Sequence, residues 1–202
     1  MKSQTKEGLA ALTPGQALEM LQAGNRRFLA REPVMRDLLE QVNQTSAGQY
    51  PFAVILGCID SRVPPELIFD QGIGDLFTIR IAGNFVNEDI LGSMEFACRV
   101  VGSKQILVLG HTSCGAVQGA VDRVELGHLT GLVEKLQPAV AAAEAVHDHD
   151  PQVDQVAEEN VRLTIIEIQE RSPILRDLLE KGEIGVSGAM YDTSTGAVNF
   201  FS

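Results

Sequence analysis

Two short apolar runs, Phe52-Ala53-Val54-Ile55-Leu56 and Ile106-Leu107-Val108-Leu109, constrain this chain most, and each ends at a glycine, Gly57 and Gly110. A brief unbroken apolar run without polar alternation is the pattern of a strand covered on both faces, as strands are inside a parallel sheet flanked by helices. Directly beyond each glycine stands a side chain with ligating chemistry, Cys58 after the first run and His111 after the second. Open α/β sheets place their ligand crevices at the carboxyl ends of strands. The runs therefore predict an α/β fold, a central and mostly parallel β-sheet flanked by helices, with its chemistry at one end of the sheet.

Ahead of the first run, Thr13-Pro14-Gly15-Gln16 reads as a helix start, with Thr13 as N-cap, Pro14 at the first helical position and Gln16 closing a capping box. Gly24 is the expected stop of this helix. Residues 76–81 read as a second strand, and Asn87 opens a helix whose apolar positions Ile90, Met94, Ala97, Cys98 and Val101 follow helical spacing. Further helices are predicted over 116–126, 132–145 and 153–169, followed by one capped by Ser172 and ending near Gly182. A last strand is expected over 184–190, a turn over 192–196, and a C-terminal edge hairpin completed by 197–200. A single domain over 1–202 follows, with an N-terminal helical arm over 1–45 and an α/β core over 50–202.

Composition narrows the partners. The 202 residues carry 16 basic and 27 acidic side chains, a net charge of −11, and no basic run interrupts that balance, so nucleic acid is not an expected partner. No apolar run is long enough to cross a bilayer, and a membrane partner is not expected. The first residues lack the apolar core of a secretion signal, and three cysteines make an odd set for a disulfide framework. Both point to the cytoplasm. Cys98 lies on an apolar helical face and is expected to pack in the core.

The chemistry concentrates in Gly57-Cys58-Ile59-Asp60-Ser61-Arg62 and Gly110-His111-Thr112-Ser113-Cys114-Gly115. Two thiols and one imidazole are ligands that zinc prefers, and a zinc ion with three protein ligands keeps a position open for water, as catalytic zinc does. The combination of Cys-x-Asp-Ser-Arg with a later His-x-x-Cys-Gly resembles the β-class carbonic anhydrases, over about residues 49–119 in detail and elsewhere in general layout. That resemblance implies one Zn²⁺ per subunit on Cys58, His111 and Cys114, and reversible hydration of carbon dioxide to bicarbonate.

Two thiolates cancel the formal charge of Zn²⁺ and leave it a weaker Lewis acid than three neutral histidines would. Asp60 can compensate by accepting a hydrogen bond from the attacking hydroxide and orienting it. Arg62 can keep Asp60 ionised through a charge-assisted pair. The resemblance also implies a blocked state in which Asp60, released by Arg62, becomes a fourth ligand. By the same resemblance Gln49 is an amide donor to substrate contributed across a subunit interface, Phe77 and Phe96 are wall positions, and the chain assembles with itself into a homodimer or larger oligomer. Gly115 could present its backbone N–H to the site. One departure stands out: Ile55 occupies the place of a tryptophan that lines an inhibitory bicarbonate pocket in part of the family. Arg80 matches another residue of that pocket, and without its partner simple bicarbonate and pH behaviour is expected.

Blander readings exist for each feature. Asp-Ser-Arg alone would be a turn with a surface ion pair, and His111 alone a loop histidine; Cys58 and Cys114 beside them reverse both priors. Phe77 and Phe96 fit ordinary core equally well. Hydrolysis of carbonyl sulfide or carbon disulfide on the same scaffold is an alternative activity, and a non-catalytic, zinc-stabilised scaffold protein is a third reading, which requires a closed four-ligand site. His147-Asp148-His149-Asp150 reads as a solvated loop, His128 has no partner in sequence, and Gly72, Gly74 and Gly83 form no dinucleotide fingerprint.

Overall fold

The structure is a computed structural model that describes residues 3–146 and 152–201. The His147–Asp150 run therefore lies outside the described residues. The chain begins with α1 (Lys6–Ala11) and α2 (Pro14–Ala30), and the latter starts as its sequence predicts: the Thr13 hydroxyl accepts from Gln16 N while the Gln16 side chain accepts from Thr13 N. Gly24 does not stop α2. The helix continues to Ala30 and closes at Arg31 in a left-handed conformation (φ 59°). A Cβ at Gly24 would lie 1.7 Å from the carbonyl oxygen of Phe69, so this glycine serves a close approach between segments.

After α3 (Leu38–Thr45) the core begins with β1 (Ala53–Gly57), the short α4 (Pro65–Ile68) and β2 (Leu76–Arg80). Helix α5 (Glu88–Glu95), capped by Asn87, runs into a π-helical turn over Phe96–Val101 and then β3 (Gln105–His111). Next come α6 (Gly115–Val121), α7 (Gly127–Val133), a 3₁₀ turn over Glu134–Leu136, and α8 (Gln137–Val146). The helix expected over 116–126 thus ends early, because Arg123 turns left-handed (φ 52°), and the one expected over 132–145 is divided by the 3₁₀ turn. Helix α9 (Val153–Arg171) and α10 (Pro173–Glu180), the latter capped by the Ser172 hydroxyl, lead to β4 (Gly185–Tyr191) and β5 (Val198–Phe200).

The strands form one sheet in the order β2-β1-β3-β4-β5, parallel except for the antiparallel β4-β5 edge hairpin. Side chains alternate across it. Val54, Leu56, Ile106 and Val108 enter the larger cluster, built with α5, α6, α8, α9 and α10. Ala53, Ile55, Leu107 and Leu109 face the other cluster, with Leu9 of α1, Ala17 and Leu21 of α2, and Ile68 of α4. The N-terminal helix α2 thus packs on its own domain. The order of strand addition reverses at β1, because β2 lies on one side of β1 and β3 on the other; such a switch point opens a crevice between the carboxyl ends of β1 and β3.

The arm is fastened to the core through Asp70, a buried residue in the left-handed region (φ 45°). Its carboxylate accepts from Arg27 Nε, Arg36 Nη1 and Val34 N, and the Arg36 side chain is only 7% exposed. Burial pushes the Asp70 carboxyl up, and the two guanidiniums with Val34 N–H more than reverse this, leaving it below the usual carboxylate range. Asp70→Ala leaves Arg36 buried without its counter-charge and should destabilise the chain by about 3–5 kcal/mol, read from urea denaturation at neutral pH. Since the folded pKa is lowered, this contribution is complete above the unfolded value of about 3.9 and disappears as pH falls through the lower folded value, so variant and parent should converge in acid.

Candidate metal centre

Three donors from two neighbouring strand ends meet at the switch point. Cys58 follows the last residue of β1, His111 is the last residue of β3, and Cys114 is the N-cap of α6. Their ligand atoms all lie within 4.8 Å of one another, and all three residues are buried. His111 Nδ1 donates to the carbonyl of Thr112 at 2.9 Å, which leaves Nε2 as the lone-pair nitrogen. That buried Nε2 has no hydrogen-bond partner among the described residues. A buried orphan nitrogen beside two thiols is a donor set that fits zinc.

Electrostatics agree with a cation here. The Cys58 thiol is drawn down, chiefly by the Cys114 S–H that hydrogen-bonds to its sulfur, and the Cys114 thiol is pushed up by the same contact and by burial. Burial pushes the His111 imidazolium down, and the Cys58 sulfur more than offsets this. The protein alone lets this cluster hold only part of the negative charge that its sulfurs can carry. A divalent ion would release the remaining thiol proton. Cys98 is different: buried in the larger cluster, its thiol is pushed up to about 12 by desolvation alone.

Asp60 and Arg62 sit at the mouth as a fork-to-fork pair. Asp60 Oδ1 accepts from Arg62 N (2.9 Å) and Nε (3.0 Å), and Oδ2 accepts from Nη2 (2.7 Å). Oδ2 also lies 4.0 Å from His111 Nε2, so the carboxylate borders the donor cluster while Arg62 restrains it. This guanidinium holds the Asp60 carboxyl well below the usual carboxylate range. Arg62 Nη2 further donates to the carbonyl of Ser113, which joins the two ligand loops.

The loops are braced from three other elements. Arg80, at the end of β2 and in register with Gly57, donates from Nε to the carbonyl of Cys58 (2.8 Å) and from Nη2 to that of Asp60 (2.6 Å). Gly83 N donates to Cys58 Sγ (3.5 Å), and buried Asn160 of α9 donates to Gly83 O (2.8 Å). Ser113 N donates to Asp154 Oδ1 (2.7 Å), and Thr112 N donates to Tyr191 O of β4.

The other residues named from sequence do not all converge. Gly115 opens α6 directly after Cys114 and lines, with Ser113, Gln118, Gln152, Val153 and Asp154, a cavity of about 420 Å³. Gln49 lies ahead of β1, at the opposite end of that strand from Cys58, in a cavity with Lys6, Leu9, Tyr50 and Lys104. Phe77 and Phe96 touch edge to face, with centroids 6.2 Å apart, and line a cleft of about 660 Å³ beside β2 that includes none of the three donors. Asp154, Asn160 and Gly83 were not foreseen. Their partners are backbone groups or a sulfur far away in sequence, and such contacts leave no motif.

Known proteins resemble this chain in sequence and fold. The sequence profile of the carbonic anhydrase family matches residues 53–198. Carbonic anhydrase 2 of Mycobacterium tuberculosis is 36% identical over 189 residues, covering 91% of this chain and 90% of that protein. The carbonic anhydrase of Mycolicibacterium smegmatis is 35% identical over 195 residues, covering 94% of each. Among solved structures, the β-carbonic anhydrase CcaA aligns with a TM-score of 0.71 at 28% identity, covering 93% of this chain and 94% of that one. The β-carbonic anhydrase CafA of Aspergillus fumigatus gives 0.74 at 26% identity, covering 92% and 90%.

Substituting Cys58→Ser removes a thiolate from the cluster and should lower zinc affinity more than 10-fold, measured by competition with a chromophoric chelator. Acidification should weaken zinc binding in the parent chain as well, because the sulfurs and His111 must be deprotonated to bind. Zinc affinity that does not change with pH would contradict this donor set.

Proposed function

Because the chain belongs to the β-class carbonic anhydrase family, we propose that it carries out zinc-dependent, reversible hydration of carbon dioxide to bicarbonate and a proton at Cys58, His111 and Cys114. The observation that carries this reading is the convergence of three buried donors beside a carboxylate that Arg62 keeps out of the cluster. Zinc bound there would supply a Lewis acid that lowers the pKa of water toward neutrality.

The protein's own groups do the rest. Asp60 Oδ2, engaged by Arg62 on one side and facing the donors on the other, is placed to accept a hydrogen bond from the attacking oxygen and turn its lone pair toward the substrate carbon. The paired state of Asp60 favours an open position over a fourth protein ligand. It also argues against a closed structural site, since the convergent group consists of three donors with Asp60 held by another partner.

The substrate wall of Gln49, Phe77 and Phe96 is proposed to need a second copy of the chain, because within one protomer Gln49 is at the far end of β1. Two surfaces support self-association. Strand β2 is an edge strand, and α3 exposes Leu38, Leu39 and Val42. Three unpaired cysteines support a reducing compartment such as the cytoplasm. Among the described residues no helix is long and apolar enough to cross a membrane.

Asp60→Asn should retain zinc and lose activity by about 10²-fold or more in stopped-flow hydration of carbon dioxide, since one transition-state acceptor is removed. Full activity in that variant would remove Asp60 from the mechanism, and undiminished turnover by zinc-free protein would remove the whole reading. Arg80 is already committed to the carbonyls of Cys58 and Asp60, and Ile55 is fully buried. Bicarbonate should therefore inhibit without cooperativity; a sigmoidal dependence on bicarbonate would contradict the assignment.

A further inference from the structure

Between the ligands His111 and Cys114 the backbone makes an unusual turn. Ser113 has φ 55°, in the left-handed region that non-glycine residues seldom adopt, and this reversal takes the chain from the end of β3 into α6 within a few residues. With this turn His111 and Cys114 both bring their ligand atoms within 4.8 Å of that of Cys58. A conformation that is intrinsically disfavoured persists only where surrounding contacts hold it.

Two contacts hold Ser113, one on each side of its α-carbon. Its carbonyl accepts from Arg62 Nη2 at 3.3 Å, and its N–H donates to Asp154 Oδ1 at 2.7 Å. The second is the shorter, and a carboxylate acceptor makes it charge-assisted. Asp154 lies in the first turn of α9, where an acidic residue is favourable for the helix itself. Its carboxylate nevertheless reaches a chain segment 41 residues away. The same helix reaches the other ligand loop through Asn160 and Gly83, so α9 braces both halves of the cluster.

We infer that Asp154 is a positioning residue for the metal centre: by accepting the Ser113 N–H it fixes the left-handed turn that aims His111 and Cys114 at one point. This rests on the zinc reading above. A purely helical role for Asp154 makes a different prediction, since loss of a favourable first-turn charge would be indifferent to what stands at position 113.

The test compares the full chain with Asp154→Ala, Ser113→Gly and the double variant, each loaded with Zn²⁺ or Co²⁺. Release of Zn²⁺ to an excess of a chromophoric chelator and the Co²⁺ absorption spectrum, including its thiolate charge-transfer band, are the readouts. Asp154→Ala should release zinc about 10-fold faster or more and show an altered cobalt spectrum, as loss of an outer contact to a metal site typically does. Adding Ser113→Gly should return both readouts toward the parent, because glycine adopts positive φ without strain. Parent-like release and spectrum in Asp154→Ala would overturn the inference, and so would a double variant that keeps the defect. If Asp154→Ala does not fold, the double variant decides: parent-like release supports the role, and fast release or failure to fold overturns it. A parent chain that holds no zinc overturns the zinc reading together with this one, whereas zinc-loaded parent and Asp154→Ala with equal release overturn this one alone.

Discussion

Parallel pairing of β1 with β3 is the constraint on which the site depends. The register sets Gly57 opposite Leu109, so the two strands end almost level and Cys58 emerges beside the last residues of β3. Both strands are buried throughout, which is why their sequences are unbroken apolar runs and why neither can slip without exposing one cluster. Gly110 belongs to this arrangement: a Cβ there would meet Met190 Sδ at 2.5 Å and Val161 Cγ2 at 2.7 Å, so the strand bearing His111 packs against β4 and α9 only without a side chain. Strand pairing thus fixes where Cys58 and His111 emerge, and the Ser113 turn brings Cys114 to them.

Charge is arranged in shells around that cluster. Inside are two sulfurs and an imidazole, withdrawn from water; at the mouth is Asp60, and outside it is Arg62, half exposed. Such an order suits a divalent ion at the centre, since the negative donors are desolvated where a cation compensates them and the compensating guanidinium remains solvated. The acidic balance of the whole chain plays no comparable part. An uncharged substrate such as the carbon dioxide proposed above would not be steered by a net field, and a net charge of −11 favours solubility.

The sheet, its edge hairpin and the five central residues of the site were legible because their signals are local. Cys58, Asp60 and Arg62 lie within one loop, His111 and Cys114 within another, and the strands before them carry unambiguous apolar runs. What failed was punctuation. Gly24 looks like a helix stop, but its absent side chain admits the Phe69 carbonyl, and the break after Val121 depends on the left-handed Arg123, which no breaker residue announces. Asp154 was invisible for a deeper reason: its partner is a main-chain N–H, which every residue but proline would offer at position 113. The roles proposed for Gln49, Phe77 and Phe96 came through resemblance, and a single chain leaves these side chains apart from the metal donors.

Arg80 ties the edge strand β2 to the donor cluster by two hydrogen bonds, to the carbonyls of Cys58 and Asp60. Edge strands fray before interior ones, and β2 has pairing on one side only. Fraying at that margin would slacken the loop of Cys58 and Asp60 and loosen Leu76, Phe77 and Ile79 from the two clusters. Loosening of β2 would thus reach the loop of Cys58 and Asp60 while the interior strands β1 and β3 stay paired.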